Sequence, residues 1–419
     1  MKAIKTMIVV LISLFIISSH SLAVEIDLWH GWTGADNAEM LDEVIQKFNE
    51  EDNGITVKIT AFGWGDFFPK WVLAAKQGNP PDVVLYHHTE VAEYRARGIT
   101  IPLNDLMKEV PVDMTGVPQA LIDASIFDGE WYTIPGDLHP LAVYYNVDLL
   151  EKAGLNPNEL PNSGGEFFEW LDKLHIVDDE GKVTQYGIDL ANTGAHPRWI
   201  FWGLQHQFGG QWIDEKGETP AMNSLANENA LGVLSHLYQY ASMGSKFADM
   251  DAFSAGKAAI TISGPWMANS YHRKKMNVVT GQKPVFGYRR GTWANTHCLS
   301  ISKQKSDEKY LPSMKFVKWF YDNYASPGIN VGIIPVSPTA LNDPIFTDDD
   351  RYKYMKAFVE SLPHISMEPM VETYTQQFGW ATPAPIDINT QAVINGKKGI
   401  KQALKDMEEG TAEILEEGI

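Results

Sequence analysis

Cysteine is almost absent from this chain of 419 residues, in which Cys298 stands alone. A single cysteine excludes a disulfide within the chain, so the burial of apolar side chains must supply the stability of the fold. A lipid-anchored exported protein needs a cysteine at its new N-terminus, and Cys298 lies far from that end. The sequence therefore predicts a protein without a lipid anchor.

Long hydrophobic runs are scarce as well. The run from Met7 to Ile17 follows Lys2 and Lys5 and is followed by small residues. It is too short to cross a bilayer, which takes about 20 residues, and the arrangement is typical of a cleaved secretory signal. We therefore predict a signal peptide over residues 1–23 and a mature protein that is exported to the periplasm.

Basic residues are too few to balance the acidic ones. The chain has 34 lysines and arginines against 53 aspartates and glutamates, which gives a formal net charge of −19. Such a surface is a poor partner for nucleic acid or for anionic lipid, and its simplest role is to keep the protein in solution. The length exceeds that of one ordinary hydrophobic core, so we expect two domains.

The familiar cofactor and metal motifs are missing too. Gly31 and Gly34 lack the third glycine of a dinucleotide-binding fingerprint, and the histidines show no close metal-ligand spacing. His87 and His88 are adjacent on an extended segment, where successive side chains point to opposite faces, so at most one of them can face a ligand. The sequence predicts no cofactor and no metal site.

Sequence motifs of catalytic sites are also missing. No G-x-S-x-G sequence is present, and Cys298 lies in a strand-like run without the setting of a nucleophile. A secreted glycoside hydrolase is the alternative class, and it needs two carboxylates that flank the cleaved bond. Asp66, Asp82, Glu90 and Asp137 can be nominated, although Asp66 has the position of a helix cap and Asp82 that of a turn. We predict a protein that is not an enzyme.

Tryptophan, in contrast, is abundant, with 13 residues in the chain. The most informative segment is AGKAAITISGPWM, from Ala255 to Met267. Ala259 to Ser263 favours a strand, the Gly-Pro pair ends it, and a helix is expected from Trp266 to Lys274. Ligands of open α/β sheets bind at the carboxyl ends of strands, yet tryptophan is also common in cores. From spacing alone, Trp266 fits a ligand contact and a core position equally well.

The first third of the mature chain alternates short strands with amphipathic helices, which predicts a βαβαβ unit. Its strand ends carry aromatic and polar side chains, which parallel strands bring to one edge of a sheet. The predicted elements are strands from Glu25 to Trp29, from Ile55 to Thr60 and from Asp82 to Tyr86, with helices from Asp36 to Glu50 and from Phe67 to Gln77. The strand-end side chains are those of Trp29-His30-Gly31-Trp32 and Tyr86-His87-His88-Thr89.

Four stretches of the chain carry a resemblance to a known family. They are GNPPDVVLYHH (Gly78 to His88), GEWYTIPGDLHPLAVYYNVDLLEKAGL (Gly129 to Leu155), AGKAAITISGPWM and INGKKGIKQALKDM (Ile394 to Met407). The second and the third are the most specific. The chain resembles the extracellular solute-binding proteins of bacterial ABC importers, and among them the sugar-binding branch to which the maltose-binding proteins belong.

The resemblance implies an α/β fold of the two-lobed periplasmic-binding-protein type. Each lobe is a mostly parallel sheet flanked by helices, and the ligand cleft lies between the lobes. The implied N-terminal lobe comprises residues 24–138 and 292–341, and the C-terminal lobe residues 139–291 and 342–419. The chain would cross between the lobes near residues 137–141, 290–296 and 340–344, where prolines and glycines punctuate the sequence.

The implied function is the capture of a carbohydrate, expected to be a disaccharide or an oligosaccharide, by closure of the lobes. The monomeric protein would then deliver it to the membrane permease subunits of an ABC importer. The residue types suit this ligand, since flat rings cover the apolar faces of a pyranose while polar side chains bind its rim of hydroxyls. A pure adhesion or scaffold protein is a third class, and it would respond to no small molecule.

The resemblance also indicates ligand-binding residues. Trp266 matches the aromatic residue after Gly-Pro that stacks on a sugar ring in the family, and Tyr86 matches an aromatic residue at the end of the third strand. His139 falls in a crossing segment where some relatives have a carboxylate, and the aromatic wall of the second lobe maps to residues 198–202. The arginine in that segment leaves room for an acidic sugar. The predicted ligand-binding residues are Trp29, His30, Trp32, Trp64, Tyr86, His87, Asp137, His139, Arg198, Trp199, Trp266 and Trp380.

Overall fold

The computed structural model describes residues 23–33, 35–51, 53–214, 216–243, 250–379 and 384–418. The predicted signal peptide lies outside these ranges, except for Ala23. Among the helices inside them, none combines the length and the apolar character that a membrane-spanning segment needs.

Strands and helices alternate along most of the chain. The strands are β1 (Val24–His30), β2 (Ile55–Ala61), β3 (Val83–His87), β4 (Ile126–Phe127), β5 (Glu130–Trp131), β6 (Ile134–Pro135), β7 (Asp137–Pro140), β8 (Ala142–Asn146), β9 (Ile176–Val177), β10 (Val183–Asp189), β11 (Ala241–Ser242), β12 (Ala258–Ser263), β13 (Val278–Gly281), β14 (Thr292–Asn295), β15 (His297–Ile301), β16 (Ile334–Pro335) and β17 (Ile365–Ser366). The helices are α1 (Ala35–Glu50), α2 (Trp64–Lys76), α3 (Val91–Ala96), α4 (Asn104–Glu109), α5 (Gln119–Ser125), α6 (Val147–Lys152), α7 (Gly164–Leu174), α8 (His196–Phe208), α9 (Leu225–Leu237), α10 (Asp251–Ser254), α11 (Ala268–Arg273), α12 (Tyr310–Asp322), α13 (Ala325–Pro327), α14 (Pro338–Leu341), α15 (Pro344–Thr347), α16 (Tyr352–Ser361), α17 (Tyr374–Phe378), α18 (Pro385–Ile394) and α19 (Ile400–Glu417).

The first sheet has the strand order β2-β1-β3-β15-β6. β1 is parallel to β2 and to β3, whereas β15 runs antiparallel to β3, and β6 antiparallel to β15. Because α1 and α2 connect the three parallel strands, the predicted βαβαβ unit is confirmed. The side chains of Ile26, Leu28, Val83 and Leu85 are completely buried in this lobe, so the sheet is anchored by its apolar strand residues.

The second helix begins earlier than the sequence predicts. It starts at Trp64 with Gly63 at the N-cap position, and Asp66 lies inside its first turn. The Asp66 carboxylate accepts a hydrogen bond from the Lys70 ammonium at 3.2 Å, and no side chain caps the helix. The predicted capping role of Asp66 is therefore wrong. Its charge still suits the first turn, because that end of a helix carries a partial positive charge.

The second sheet has the strand order β11-β10-β12-β8-β13, with β9 paired to β10. β10 is parallel to β11 and β12, and β8 is antiparallel to β12 and β13. The strand predicted from Ala259 to Ser263 is β12 and is confirmed. Apolar side chains of α8, α9, α18 and α19 share one core with β8 and β12. This lobe therefore contains the C-terminal helices, and Leu404 and Met407 form part of their buried stripe.

A third, smaller sheet of order β16-β7-β14-β17 lies where the chain passes between the lobes. β7 and β14 are antiparallel, and they fall inside the predicted crossing segments near residues 137–141 and 290–296. After β8 to β13 the chain returns through β14 to β15 of the first sheet. The first sheet is thus built from two stretches that are distant in sequence. The detailed lobe boundaries stay a prediction.

Lys283 is buried in the second lobe, with 1% of its surface exposed. Its ammonium donates a hydrogen bond to the backbone carbonyl of Ile200 at 3.1 Å, and burial lowers its pKa to about 7. The unfolded chain restores an ordinary lysine pKa of about 10.4. Between these two pH values the unfolded state binds more protons than the folded state, so the free energy of unfolding rises with pH.

Replacing Lys283 with methionine is expected to remove this dependence. Between pH 7 and pH 9, the free energy of unfolding of the wild type should rise relative to that of Lys283→Met by roughly 1 kcal/mol per pH unit. The variant should also be the more stable protein at pH 7, since it has no charge to desolvate. Urea unfolding at several pH values measures both quantities, and parallel pH profiles would contradict the prediction.

Candidate functional site

Three histidines meet where the first sheet joins the small crossing sheet. His87 ends β3, His139 lies in β7 and His297 begins β15, opposite His87 in the antiparallel register. The ring of His297 lies 4.8 Å from that of His87 and 4.5 Å from that of His139, and the rings of His87 and His139 are 5.9 Å apart. We call these three residues the histidine cluster. Their exposed fractions are 4%, 3% and 6% in chain order, so the cluster is enclosed.

Asp137 lies behind the histidine cluster and holds two of its members. Its Oδ1 accepts hydrogen bonds from His139 Nδ1 at 2.9 Å and from the backbone N–H of His297 at 3.1 Å. Its Oδ2 accepts from His297 Nδ1 at 2.8 Å and from the Tyr324 hydroxyl at 2.7 Å. A carboxylate has about four acceptor sites, and these bonds use them. Asp137 was predicted to bind the ligand, and the structure corrects this: it is a positioning residue for the imidazoles.

The charge states of this network follow from burial and hydrogen bonding. Burial alone would raise the pKa of Asp137, but the charge interaction with His297 and the hydrogen bonds from His139 and His297 outweigh it and hold the pKa below its usual range. The carboxylate therefore keeps the proton of His139 and His297 on Nδ1, which directs the Nε2 lone pairs away from Asp137.

Burial also keeps the imidazoles of His87 and His139 neutral. Burial, together with the charge interaction with His297, lowers the pKa of His139 to about 4. For His87, burial and the charge interactions with His297 and His139 lower the pKa well below its usual value. At neutral pH these rings are therefore hydrogen-bond acceptors or metal ligands rather than cations.

Indole rings from the first lobe contact one side of the cluster. The ring of Trp64 lies 4.1 Å from that of His87, and it is nearly parallel to that of His297 at 5.7 Å and 13°. The Trp32 indole donates a hydrogen bond from Nε1 to His297 Nε2 at 3.2 Å. The first lobe thus contributes an aromatic wall in which the predicted residues Trp32 and Trp64 both take part.

Indole rings from the second lobe contact the other side. The half-buried ring of Trp266 lies 5.8 Å from that of His139 and 6.1 Å from that of Trp199. Trp199 in turn stacks on Trp293 at 4.3 Å with an interplanar angle of 18°. Trp266 follows β12 on a single 3-10 turn, Pro265–Met267, before α11 begins. The strand-to-helix corner predicted for Trp266 is therefore present, with a tighter first turn.

Two glycines make the close approach of these indoles possible. A Cβ added at Gly31 would lie 2.2 Å from the Trp64 ring, and a Cβ added at Gly264 would lie 2.0 Å from the Trp266 ring. Real Cβ atoms do not come so close to a neighbouring atom, so any larger residue would displace the indole. The rings of Trp64 and Trp266 beside the histidine cluster thus each depend on a glycine near the carboxyl end of a strand.

Tyr86 and Trp29 lie on the opposite face of the first sheet, which corrects two predictions. The ring of Tyr86 lies 5.1 Å from that of Trp71, and its hydroxyl is hydrogen-bonded to Ser300 Oγ at 3.0 Å. Trp29 packs edge-on against Phe62 at 4.7 Å. Neighbouring residues of a strand point to opposite faces, so His87 faces the cluster and Tyr86 the core.

His88 and His30 are buried outside the cluster. His88 Nε2 is hydrogen-bonded to Ser125 Oγ at 3.1 Å, so His87 alone of the adjacent pair joins the cluster, as the strand geometry requires. His30 is 1% exposed, and burial lowers its pKa to about 4. Within the described part of the chain, its ring makes no contact with the histidine cluster. The predicted ligand role of His30 is not supported.

Arg198 is fully engaged inside the second lobe. Its Nε donates to Glu368 Oε1 at 2.9 Å, and its Nη1 donates to Asp387 Oδ2 at 2.6 Å. The side chain is 1% exposed, and both partners are carboxylates that neutralise it. The prediction that Arg198 binds the ligand is wrong, and with it the room it left for an acidic sugar. Trp380 lies outside the described residues.

The sequence did not indicate His297, which is central to the cluster. No motif surrounds it, and its role depends on β15 lying beside β3 and on Asp137 from a different segment. The one available signal was its place directly after the crossing segment near residues 290–296. Strand pairing across that distance cannot be read from local periodicity.

Contacts between the lobes continue beside Trp64. The Glu93 carboxylate of α3 accepts hydrogen bonds from the backbone N–H and the hydroxyl of Thr375, both at 2.8 Å. Arg95 of the same helix forms an ion pair with Glu372 at 2.9 Å. Thr375 and its neighbours belong to α17, which shares the core of the second lobe. An adjoining cavity of about 480 Å³ is lined by residues of both sides, namely Trp64, Phe68, Tyr94, Arg97, Thr375 and Gln376.

The fold and this site define a binding protein of two lobes with an enclosed site at their junction. The chain belongs to the bacterial extracellular solute-binding proteins, since the profile of that family matches residues 32–344. It is 22% identical over 409 residues to a putative binding protein of Brucella abortus, a match that covers 94% of each chain.

Two shorter matches agree with this family. An uncharacterized ABC transporter extracellular-binding protein of Pyrococcus horikoshii is 26% identical over 63% of this chain and 59% of its own length. The maltodextrin-binding protein of Bacillus subtilis is 24% identical over 59% of this chain and 57% of its own length. The present chain therefore spans less than two thirds of both relatives.

Solved structures agree with the two-lobed fold. An ABC substrate-binding protein of Listeria monocytogenes in complex with cycloalternan superposes with a TM-score of 0.79 at 20% identity, covering 93% of this chain and 98% of that one. Maltose-bound MalE3 of T. maritima has a TM-score of 0.78 at 19% identity and covers 93% and 99% of the two chains. The predicted fold class, two α/β lobes of the periplasmic-binding-protein type, is confirmed.

Proposed function

We propose that this protein captures a carbohydrate, a disaccharide or an oligosaccharide, between its lobes and delivers it to the permease subunits of an ABC importer. It would do so in the periplasm, as a monomer and without changing the ligand chemically. The observation that carries the proposal is the pair of indoles, Trp64 and Trp266, that reach the histidine cluster from opposite lobes.

The chemistry of the site suits a sugar ring. Indoles offer flat apolar faces for the C–H faces of a pyranose. Neutral imidazoles offer acceptors for its hydroxyls, and His139 has its Nδ1 already committed to Asp137, which leaves Nε2 for this purpose. The cluster therefore combines stacking surfaces with the neutral imidazoles of His87 and His139, which favours a neutral sugar over an acidic one.

The named relatives support the same class of ligand. The matched protein of Bacillus subtilis is a maltodextrin-binding protein, and the superposed structures contain cycloalternan and maltose. The cavity of about 480 Å³ beside Trp64 is lined mainly by α2 and α3 and is bordered by Thr375 and Gln376 of the other lobe, and we propose that it receives further sugar units. We therefore favour an oligosaccharide over a monosaccharide.

Closure of the lobes is proposed to rest on α3 and α17. The segments 24–138 and 292–341 would move as one body against 139–291 and 342–419. In the structure, Glu93 accepts two hydrogen bonds from Thr375 and pairs with Arg97 of its own segment, with 2% of its side chain exposed, and we assign the contact with Thr375 to the closed state. The pair of Arg95 and Glu372 is more exposed, at 21% and 51% of the side chains. Buried contacts of this kind stabilise a closed state more than exposed ion pairs do.

Replacing Glu93 with glutamine is expected to weaken carbohydrate binding about tenfold, which corresponds to roughly 1.4 kcal/mol. Glutamine keeps the shape but lacks the second acceptor oxygen, so one hydrogen bond from Thr375 is lost when the lobes are closed. The ion pair with Arg97 lies within one lobe, so its loss affects the open and the closed state alike. Isothermal titration calorimetry measures the change.

Glu372→Gln is the matched control for this closure test, because it makes the same substitution in an exposed pair at the same boundary. It should change the affinity by less than about threefold. Equal effects of the two variants, or an unchanged affinity of Glu93→Gln, would show that these contacts do not stabilise the closed state.

The four candidate carboxylates give little support to the alternative that the protein is a glycoside hydrolase. Asp137 uses both oxygens on His139, His297 and Tyr324. Asp82 accepts from the backbone of Asp27 and from Lys309. Asp66 lies on the exposed start of α2, and Glu90 is buried and accepts from Thr89.

Incubation with oligosaccharides tests the proposed function. The purified mature protein is screened against neutral disaccharides and oligosaccharides by thermal shift, and hits are titrated by tryptophan fluorescence. A ligand at 100 times its Kd should stabilise the protein by about 2.7 kcal/mol. Chromatography of the sugar after incubation should return it unchanged. Release of shorter products would establish the hydrolase instead, and a complete lack of response would favour the scaffold class.

A further inference from the structure

The histidine cluster has the donor set of a metal site. His87, His139 and His297 each offer one ring nitrogen, and the three donor atoms lie within 4.8 Å of one another. A tetrahedral zinc ion holds nitrogens at 2.0–2.1 Å, which places them roughly 3.3 Å apart. The present spacing would need to contract by about 1.5 Å at most, a distance that small rotations of the three rings can supply.

The surroundings of the cluster match those of metal-binding imidazoles. A metal-bound histidine commonly donates its second ring N–H to a carboxylate, which fixes the orientation of the ring and makes the other nitrogen more basic. Asp137 accepts this bond from both His139 and His297. Tyr324 and the backbone of His297 hold Asp137 in place. The buried Asp137 carboxylate therefore orients two of the three imidazoles for metal binding.

We propose that His87, His139 and His297 bind one divalent first-row transition metal ion, with Zn²⁺ as the preferred ion. Three imidazoles suit zinc, copper or nickel, whereas magnesium and calcium require oxygen ligands. The negative charge of Asp137 partly offsets the charge of the ion inside a buried site. The proposal goes beyond carbohydrate capture. A bound ion would take the Nε2 lone pair of His139 that the site otherwise offers to a sugar hydroxyl.

Three histidines would leave one position of a tetrahedral ion for a further ligand. Trp64 and Trp32 contact the cluster from the first lobe and Asp137 lies behind it. Trp266 lies beside His139 from the other lobe. Three histidines with one remaining position form an open site, in which water or an oxygen of the solute completes the coordination.

Trp32 competes with the metal for one donor. Its indole N–H donates to His297 Nε2 at 3.2 Å, and that lone pair is the one that must bind the ion, because Nδ1 is bonded to Asp137. Metal binding therefore breaks this hydrogen bond. Trp32→Phe removes the competing donor and should tighten metal binding several-fold.

The test uses the mature protein without a histidine tag, first stripped with a chelator. Co²⁺ and Zn²⁺ are the probes, followed by the visible absorption of four-coordinate cobalt and by competition with a chromophoric chelator. We expect one ion per chain. His87→Phe and His139→Phe should each weaken binding at least 100-fold. His236→Phe is the matched control, because His236 stacks on Phe168 in the second lobe, away from the cluster, and it should bind as the wild type does.

Circular dichroism and thermal unfolding establish that each variant is folded. Asp137→Asn provides an independent readout, since loss of the carboxylate behind a ligand commonly weakens metal binding by about 10–100-fold without removing a ligand. No binding by the folded wild type, or the same affinity in the variants of the cluster and in His236→Phe, would overturn the proposal. Sugar titrations of the same samples distinguish this failure from a failure of carbohydrate binding.

Discussion

Arg198→Met is expected to lower the free energy of unfolding by about 3–5 kcal/mol. The guanidinium neutralises Glu368 and Asp387 inside the second lobe, and its removal leaves two buried carboxylates without a cation. Burial already raises the pKa of Asp387 to about 6 in spite of the arginine, and Glu368 contributes to this rise. Urea unfolding at pH 8 measures the loss.

The pH dependence of this variant identifies its cause. Without Arg198 the pKa of the buried Asp387 carboxyl rises further above its unfolded value of about 4, so the free energy of unfolding falls as the pH rises between the unfolded and the folded pKa. The loss should therefore be smaller at pH 5 than at pH 8. The triple variant Arg198→Met, Glu368→Gln, Asp387→Asn removes all three charges and should recover most of the stability. An equal loss in the single and triple variants would argue against the ion pairs as the source.

Trp266→Ala is expected to weaken carbohydrate binding at least tenfold, or by about 1.4 kcal/mol or more. The substitution removes the stacking surface that the second lobe brings to the histidine cluster. Trp266→Phe keeps a flat ring and should retain part of the affinity. Calorimetric titration with the sugar found in the screen measures both variants.

Trp170→Ala is the matched control for this effect. Trp170 is also half-buried in the second lobe, where its ring packs against that of Tyr145 at 5.9 Å. It should cost stability without changing the affinity. If Trp266→Ala bound the sugar as tightly as the wild type while remaining folded, the proposed stacking role would be wrong, although the fold and the metal proposal would stand.

Strands and helices of the first lobe could be predicted because their signals are local. Between Glu25 and Tyr86 the spacing of apolar residues changes from that of a strand to that of a helix and back, and each change can be seen within a few residues. The structure has β1, α1, β2, α2 and β3 in this order. The start of α2 was placed too late. Asp66 has a residue type that commonly caps helices, but Gly63 and Trp64 already begin the turn.

The side of the sheet that each residue faces was harder to predict. β3 is buried on both faces, so its apolar run contains no alternation to show which residue points to the ligand. The family resemblance places Tyr86 at the site, whereas its ring lies in the core. The adjacent His87 lies on the side of the histidine cluster, and its contact with a ligand stays a prediction. The two residues are adjacent in β3, and a shift of one position along a strand moves a side chain to the other face of the sheet.

The sequence by itself determined the first βαβαβ unit and the corner that carries Trp266, because both depend on residues close together in the chain. The resemblance to the solute-binding proteins, carried by four stretches of the chain, indicated the two-lobed α/β fold. Only the tertiary structure decided which polar groups are available to a ligand. Arg198 meets carboxylates 170 and 189 residues away, and Asp137 meets His297 across 160 residues. Because Arg198 and Asp137 are buried and paired with these distant residues, neither is available as the predicted ligand contact. The same long-range pairing assembles a histidine cluster that no local spacing predicts.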